Sequence, residues 1–464
     1  MSQLTDQRKT ELFENTPVRT ALAKMSLPTI MSQIITLIYN IADTWFIGRT
    51  DNPYMIGAAN LVLTVFLVSA SLSNVFGAGG GSLVVRLLGQ KREDEARKAA
   101  SYSLTMAALC AAVFSLLCLL LLNPLLRLLG ASENTIGYAR QYLLFVVVIG
   151  ALPTVLSITM SALLRNVGYS REAATGLGLG GILNILLDPL FMFVLLPDGY
   201  QVMGAAIATL LSNVFTTVYF IFVYRRVRRT SVLSLPRRLE KPERASLQSL
   251  YTVGIPAGLS LFLYDLTNIV INRLSASHGD IELAAVGIVL KVERLPLNIC
   301  VGICMGMMPL IAYNYASGNR KRMKAFFSAA RTAGLLVSVV CVALYRVFAA
   351  DAVRLFIKDA QTVLLGTRFL QARCFATPFM FLSFHMVHFM QAVDRGRVSF
   401  RLAVIRQLAL NIPILFLMDA LLGMTGVVWT QTVADAINVV ISYVIYRRVL
   451  QRLQPPGSRL DSAL

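Results

Sequence analysis

The chain has 464 residues, 56% of them hydrophobic and only 14% charged, with a formal net charge of +19 and a mean hydropathy of +0.66. Soluble domains carry about 25% charged residues, so this composition excludes an ordinary water-soluble enzyme or binding module. The basic excess does not indicate nucleic acid, because the Lys and Arg residues sit in short gaps between apolar runs, where membrane topology places them.

Residues 1–24 are polar and mixed in charge, with no signal-peptide core and no small-residue cleavage site. The first apolar segment is therefore expected to stay in the protein as its own insertion signal. Runs such as LTMAALCAAVFSLLCLLLL (104–122) predict membrane-spanning helices. Twelve spans are predicted: 25–48, 55–79, 97–122, 136–163, 173–196, 202–224, 247–275, 282–314, 325–350, 363–392, 401–422 and 426–448. The fold class is an all-α integral membrane protein, with twelve transmembrane helices in two pseudo-symmetric six-helix bundles.

The connections alternate in charge. One set is basic: 86–98, 165–171, 225–244, 318–324, 394–401 and the tail 447–452. The other set is sparse, apart from 346–368 with three Arg and one Lys. This bias predicts a multi-pass membrane protein with both termini in the cytoplasm. The domain plan is a cytoplasmic segment 1–24, a first lobe 25–224, a basic linker 225–246, a second lobe 247–450 and a cytoplasmic tail 451–464.

The two halves resemble each other. SLPTIMSQII (26–35) matches GIPAGLSLFL (254–263), and GAGGGSLVVRLLGQKREDEARKAA (77–100) aligns with GMMPLIAYNYASGNRKRMKAFFSAA (306–330). The offsets are 228 from Pro28 to Pro256, 229 from Gly89 to Gly318 and 222 from Arg226 to Arg448. Six crossings return the chain to its starting side, so the repeats are parallel and a cavity is expected between the lobes. That architecture suits alternating access.

Polar residues within the spans carry the functional reading. Asp43 lies in the first span, just after the uncharged run PTIMSQIITLIY (28–39), with Tyr39 and Asn40 one turn earlier. Asn184 and Asp188 in NILLDPL are four apart, on one helical face. Pro189 leaves a backbone carbonyl without its helical donor. Thr209 lies in GAAIATLLS, beside small residues that allow close helix approach. Two carboxylates close together in a low dielectric cannot both stay ionised. Either one holds a proton, or a Na⁺ ion sits between them with oxygens of Asn184 and Thr209. Intramembrane acids are costly and usually functional.

The second half differs. At the 228 offset Asp43 faces Ile271, with Asn272 beside it. Its acids are Asp265, Glu293, Asp419 and Asp435. Asp419 reads as interfacial, Asp265 and Asp435 are evenly balanced between structural and functional roles, and any of the four acids can attract a cationic substrate. His385 and His388 share one face without an evident third ligand, so a packing role is expected rather than a metal. The cluster CMGMMP, with Met305, Met307 and Met308, packs or lines an adaptable drug-binding wall. The six cysteines, Cys110, Cys118, Cys300, Cys304, Cys341 and Cys374, read as small buried hydrophobes. GAGGGS lacks the Lys–Ser/Thr of a phosphate loop. No HExxH or GxSxG occurs, which argues against a membrane-embedded enzyme.

Taken together, LPTIMSQIITLIYNIADTWFIGR, LLRNVGYSREA, NILLDPLFM and GAAIATLLS resemble the multidrug and toxic compound extrusion (MATE) transporters over about residues 20–450. The flavour is the DinF-like, MepA-like bacterial branch. The resemblance implies antiport: amphipathic and cationic compounds leave the cytoplasm while H⁺ or Na⁺ enters, with no cofactor. It places the coupling cation on Asp43, Asn184, Asp188 and Thr209, with Tyr39 beside them. Those four residues are metal ligands only if the ion is Na⁺. The branch typified by NorM uses an acid in span 7. Here Tyr264 stands at that place with Asp265 one residue on, and one residue turns a helical side chain by about 100°. Tyr264, Asp265 and the three methionines are the candidate substrate contacts. The expected partners are small amphipathic or cationic molecules and the bilayer, with no nucleic acid, and the expected state is a monomer. The alternative is a flippase or exporter for a lipid-linked precursor or specialised metabolite.

Overall fold

The structure is a computed structural model that describes residues 11–50, 52–236 and 240–452, excepting the side chains of Leu261, Phe262, Asp265 and Arg452. Among the described residues every regular element is helical. The first half holds α1 (Val18–Gly48), α2 (Pro53–Gly89), α3 (Glu93–Leu120), α4 (Leu122–Leu128), α5 (Ile136–Leu143), α6 (Ala151–Asn166), α7 (Ser170–Pro189) and α8 (Gln201–Val227). The second holds α9 (Arg244–His278), α10 (Asp280–Ala316), α11 (Arg320–Arg354), α12 (Ala360–Arg373), α13 (Ala376–Ala392), α14 (Gly396–Val404), α15 (Ile412–Leu422) and α16 (Met424–Arg452).

Helix starts follow local chemistry. Asn52 caps α2 by accepting from the Tyr54 amide at 3.0 Å, and Pro53 fills the first helical position, where no donor is needed. Asn319 caps α11 through the Arg322 amide at 3.1 Å. Asp359 caps α12 through the Thr362 amide at 2.8 Å and its hydroxyl at 2.7 Å. Three widened π stretches interrupt the regular helices, at Leu144–Ile149, Leu190–Leu195 and Ile405–Asn411.

Among the described residues, nine helices are long and apolar enough to cross a membrane, and ten when Ile136–Ile149 and Ala151–Asn166, bent by 47°, count as one broken span. Two of the twelve expected spans fall outside that count. Segment 247–275 lies within the continuous helix α9, and 363–392 is divided into α12 and α13. The eighth expected span, with Lys291, Glu293 and Arg294 near its start, does form one 37-residue helix, α10.

The chain divides into two compact units, one containing Met31–Gly258 and the other Pro17–Ile30 with the residues from Leu259 onward. Two proline-bearing helices are split between units, α1 after Ile30 and α9 after Gly258. Each division falls two residues beyond its proline, Pro28 or Pro256, so the 228-residue repeat extends to the path of the chain.

The first unit has two apolar cores. One gathers Phe76, Leu163, Phe220, Tyr224 and Leu250; the other gathers Ile47, Val62, Leu126, Leu143 and Val147. The second unit's core includes Ile271, Val289, Ala349, Val353, Leu370 and Leu415. Leucines and valines such as Leu120, Val194, Leu336 and Val347 are exposed along the helices. In a bilayer such surface meets acyl chains, and close helix packing and polar contacts hold the bundle instead.

Candidate coupling site in the first unit

Asp43 reaches its site through the packing of α1 on α7. Ile35, Tyr39 and Asp43 recur every four residues, on one face of α1. That face lies on the glycines of α7. A Cβ on Gly178 would stand 3.1 Å from Ile35 Cδ1, and one on Gly181 would stand 3.0 Å from Ile35 Cγ2 and 3.1 Å from Tyr39 Cδ1. The contacts advance together along both helices, so the next turn of α1 brings Asp43 to the level of Asn184 and Asp188.

Asp188 is fully buried and Asn184 nearly so. Asn184 Nδ2 donates to Asp188 Oδ1 at 3.4 Å and lies 3.5 Å from Thr209 Oγ1 on α8, both at the long limit of a hydrogen bond. Asp43 Oδ1, Asn184 Oδ1 and Asp188 Oδ2 are buried with no hydrogen-bond partner among the described residues. Orphaned buried acceptors cost about 1–3 kcal/mol each, more when charged. Neither carboxylate has an ion-pair partner among the described residues, and Asp188 lies in the electrostatic field of Asp43. After Asp188, Pro189 removes the donor for the Ile185 carbonyl, and the helix widens into the π stretch Leu190–Leu195. Such widenings recur at functional sites.

The structure therefore brings together Tyr39, Asp43, Asn184, Asp188 and Thr209. It adds one residue that the sequence reading omitted. Tyr142, buried at the end of α5, lies in the field of Asp43, Asp188 and Tyr39. A tyrosine in an apolar run reads as packing, and nothing local to YARQYLL separates the two roles. All these donors are oxygens. They suit a proton or a hard monovalent cation better than a soft transition metal, and no group of three or more metal-ligating His, Cys, Asp or Glu side chains occurs among the described residues.

Two buried acids of the second unit, Asp435 and Glu293, have arginine partners. Asp435 accepts from Arg406 Nε at 2.6 Å and Nη2 at 3.0 Å, and from Gln431 Nε2 at 2.7 Å. Gln431 Oε1 accepts from Asn411 at 3.0 Å. Glu293 pairs with Arg373 at 2.7 Å, with both side chains almost wholly buried. Asp419 meets His278 at 2.5 Å. Tyr264 packs edge-on against Phe384, whose face also carries the Arg406 guanidinium. The Asp265 side chain lies outside the described residues. Met307 and Met308 are enclosed and Met305 is half-buried, while Gly306 between them lies close against Ser26. His385 contacts the Phe327 carbonyl at 3.1 Å and His388 the Phe384 carbonyl at 2.8 Å, each within the helix packing.

Residues 28–190 and 256–417 match the family model MatE, two blocks that begin at the paired prolines. The multidrug export protein MepA of Staphylococcus aureus is 31% identical over 450 residues, 97% of this chain and 98% of the relative. MepA of Staphylococcus haemolyticus is 30% identical over 441 residues, 95% and 96% of the two chains. Among solved structures, a MOP superfamily transporter from Pyrococcus furiosus superposes with a TM-score of 0.88 at 22% identity, over 96% of this chain and 98% of its own.

Proposed function

The chain belongs to the MATE family of membrane transporters, and on that premise we propose that it is a cation-coupled antiporter that exports amphipathic and cationic small molecules, drugs among them. The observation that carries the reading is the pair of Asp188, fully buried, and Asp43, half-buried with its Oδ1 enclosed, in the first unit without an arginine or lysine partner among the described residues. An unneutralised acid pair in a low dielectric attracts H⁺ or Na⁺ from the side to which it opens. The names of the staphylococcal relatives support drug export as the direction and the cargo class.

In this mechanism Asp43 and Asp188 take up the entering cation, with Asn184 and Thr209 supplying neutral oxygens and Tyr39 and Tyr142 supplying hydroxyls. Neutralisation removes the repulsion that holds α1 and α7 apart around the acids. It thereby favours the conformation that releases cargo outward and returns empty. The entry of one charge releases about 2.3 kcal/mol per 100 mV of membrane potential. Tyr264, Asp265 and Met305 are assigned to the cargo-facing wall, with Met307 and Met308 packed behind it. The two halves act as lobes, 25–224 and 247–450, joined by the basic linker 225–246 in the bacterial inner membrane. The alternation of basic connections supports cytoplasmic termini.

The test is efflux of a fluorescent organic cation from pump-deficient bacteria expressing the chain, wild type beside Asp43→Asn. The pH and Na⁺ gradients are collapsed separately. Export by wild type and none by the variant is the expected result, and the gradient whose loss stops export identifies the ion. Full export by Asp43→Asn at equal expression overturns the coupling assignment. No export by wild type under any gradient overturns the cargo assignment.

A further inference from the structure

The second unit carries a groove of about 660 Å³ between α11, α13 and α16, remote in sequence from Asp43 and Asp188. Its walls are apolar, formed in part by Leu335, Leu382, Met386 and Val440. Its outer lip is exposed, with Val440 at 65% and Tyr443 at 40%. One charge lines it, the half-buried Arg331, which has no ion-pair partner among the described residues. Its electrostatic neighbours include His385 on α13 and Tyr446 on α16, neither of them a carboxylate.

The same end of the groove holds a second cation. Arg447 donates to the Tyr443 hydroxyl at 3.2 Å and lies 4.9 Å over its ring. Tyr443 stacks beside Tyr446, which stacks on Phe327, so this level of the bundle is aromatic. Helix length places that level. Arg331 stands about 16 Å from the start of α11, and Tyr443 about 14 Å from the end of α16. The straight run of α11 up to its kink at Phe348 and the 29-residue α16 each exceed a hydrocarbon layer of about 30 Å. The two side chains then lie about one to two helical turns inside the boundary, from which a long arginine reaches toward the headgroups. Tyrosines and arginines at that depth mark a membrane interface.

An arginine without a counter-ion in the wall of an apolar groove needs an anion that also has a hydrocarbon body. We propose that this groove binds one anionic phospholipid, its phosphate on Arg331 and Arg447 and one acyl chain along Leu335, Leu382, Met386 and Val440. A cationic drug is disfavoured there, because Arg331 repels it. Basic pockets between transmembrane helices recognise anionic headgroups by this chemistry.

The full chain, purified in detergent, is equilibrated with phosphatidylglycerol and phosphatidylcholine of identical acyl chains, and bound lipid is counted by native mass spectrometry. Wild type retains phosphatidylglycerol preferentially. Arg331→Gln lowers that retention about fivefold, the counterpart of ~1 kcal/mol for one arginine near an anionic headgroup, and leaves phosphatidylcholine unchanged. Val440→Trp, at an exposed position that does not test folding, lowers retention of both lipids by filling the groove. Arg354→Gln, with a side chain 66% exposed and far along α11, changes neither. Equal retention of the two lipids by wild type overturns the headgroup assignment. Undiminished phosphatidylglycerol on Val440→Trp overturns the site.

Discussion

Removing a buried carboxylate should have opposite consequences in the two units, because only one of them supplies a counter-ion. Asp435 is fully buried and receives two hydrogen bonds from Arg406, itself 5% exposed, and a third from Gln431. Asp435→Asn strands the guanidinium away from water. Breaking one side of such a pair costs about 3–5 kcal/mol. Among the described residues Asp188 has a 3.4 Å contact from Asn184 and no ion-pair partner. Asp188→Asn keeps the shape and removes a charge that nothing neutralises, so its effect should stay within about 1 kcal/mol of zero or be stabilising. For a unit of roughly 200 residues, 1 kcal/mol corresponds to about 2–4 °C. Thermal unfolding of the detergent-purified protein should then show Asp435→Asn lower by about 6–20 °C and Asp188→Asn within about 4 °C of wild type. The double variant Arg406→Met with Asp435→Leu should recover most of the loss, since an apolar pair of similar volume replaces both charges. If Asp188→Asn falls as far as Asp435→Asn, Asp188 has a structural partner and the contrast between the units is wrong. If Asp435→Asn melts with wild type, the Arg406 pair contributes nothing to stability.

Three further outcomes are expected. Gly181→Val presses two methyl groups into Ile35 and Tyr39, already 3.0–3.1 Å from a single Cβ, and pushes α1 off α7; dye export should fall at least about tenfold at wild-type expression, whereas Gly137→Ala, with open space around it, should export normally. Gly334→Ala sets its Cβ into the Phe381 ring and should lower stability by about 1–3 kcal/mol or more; unchanged melting would show that the ring can turn aside. Asp359 is held below the usual carboxylate range by the hydroxyl and amide of Thr362. Its contribution is therefore present above the unfolded pKa of about 3.9 and is lost as pH falls through the lower folded value. The melting difference between wild type and Asp359→Ala should be constant near neutral pH and shrink below about pH 4, and a difference that grows on acidification would contradict the cap.

The local features of this chain were legible because they depend on neighbours in sequence. Apolar length gave the spanning helices, and the four-residue spacing put Asn184 and Asp188 on one face, whereas the passage of α1 and α9 between units two residues after Pro28 and Pro256 was not anticipated. Where hydropathy was diluted the reading weakened: 363–392 is two helices, and 136–163 is broken at Gly150. Compensation of charge was not legible. Asp435 and Asp43 look alike in sequence, each an acid within an apolar run. Only packing brings Arg406 across 29 residues to Asp435 and Arg373 across 80 to Glu293, while among the described residues it brings no cation to Asp43. Tyr142 joined the acid pair for the same reason. Periodicity and composition act over a few residues and determine which segments become helices and which face each side chain shares. The identity of the group opposite a buried acid is set by contacts between distant helices, and that identity decides whether the acid is a structural ion pair or a site for a moving cation.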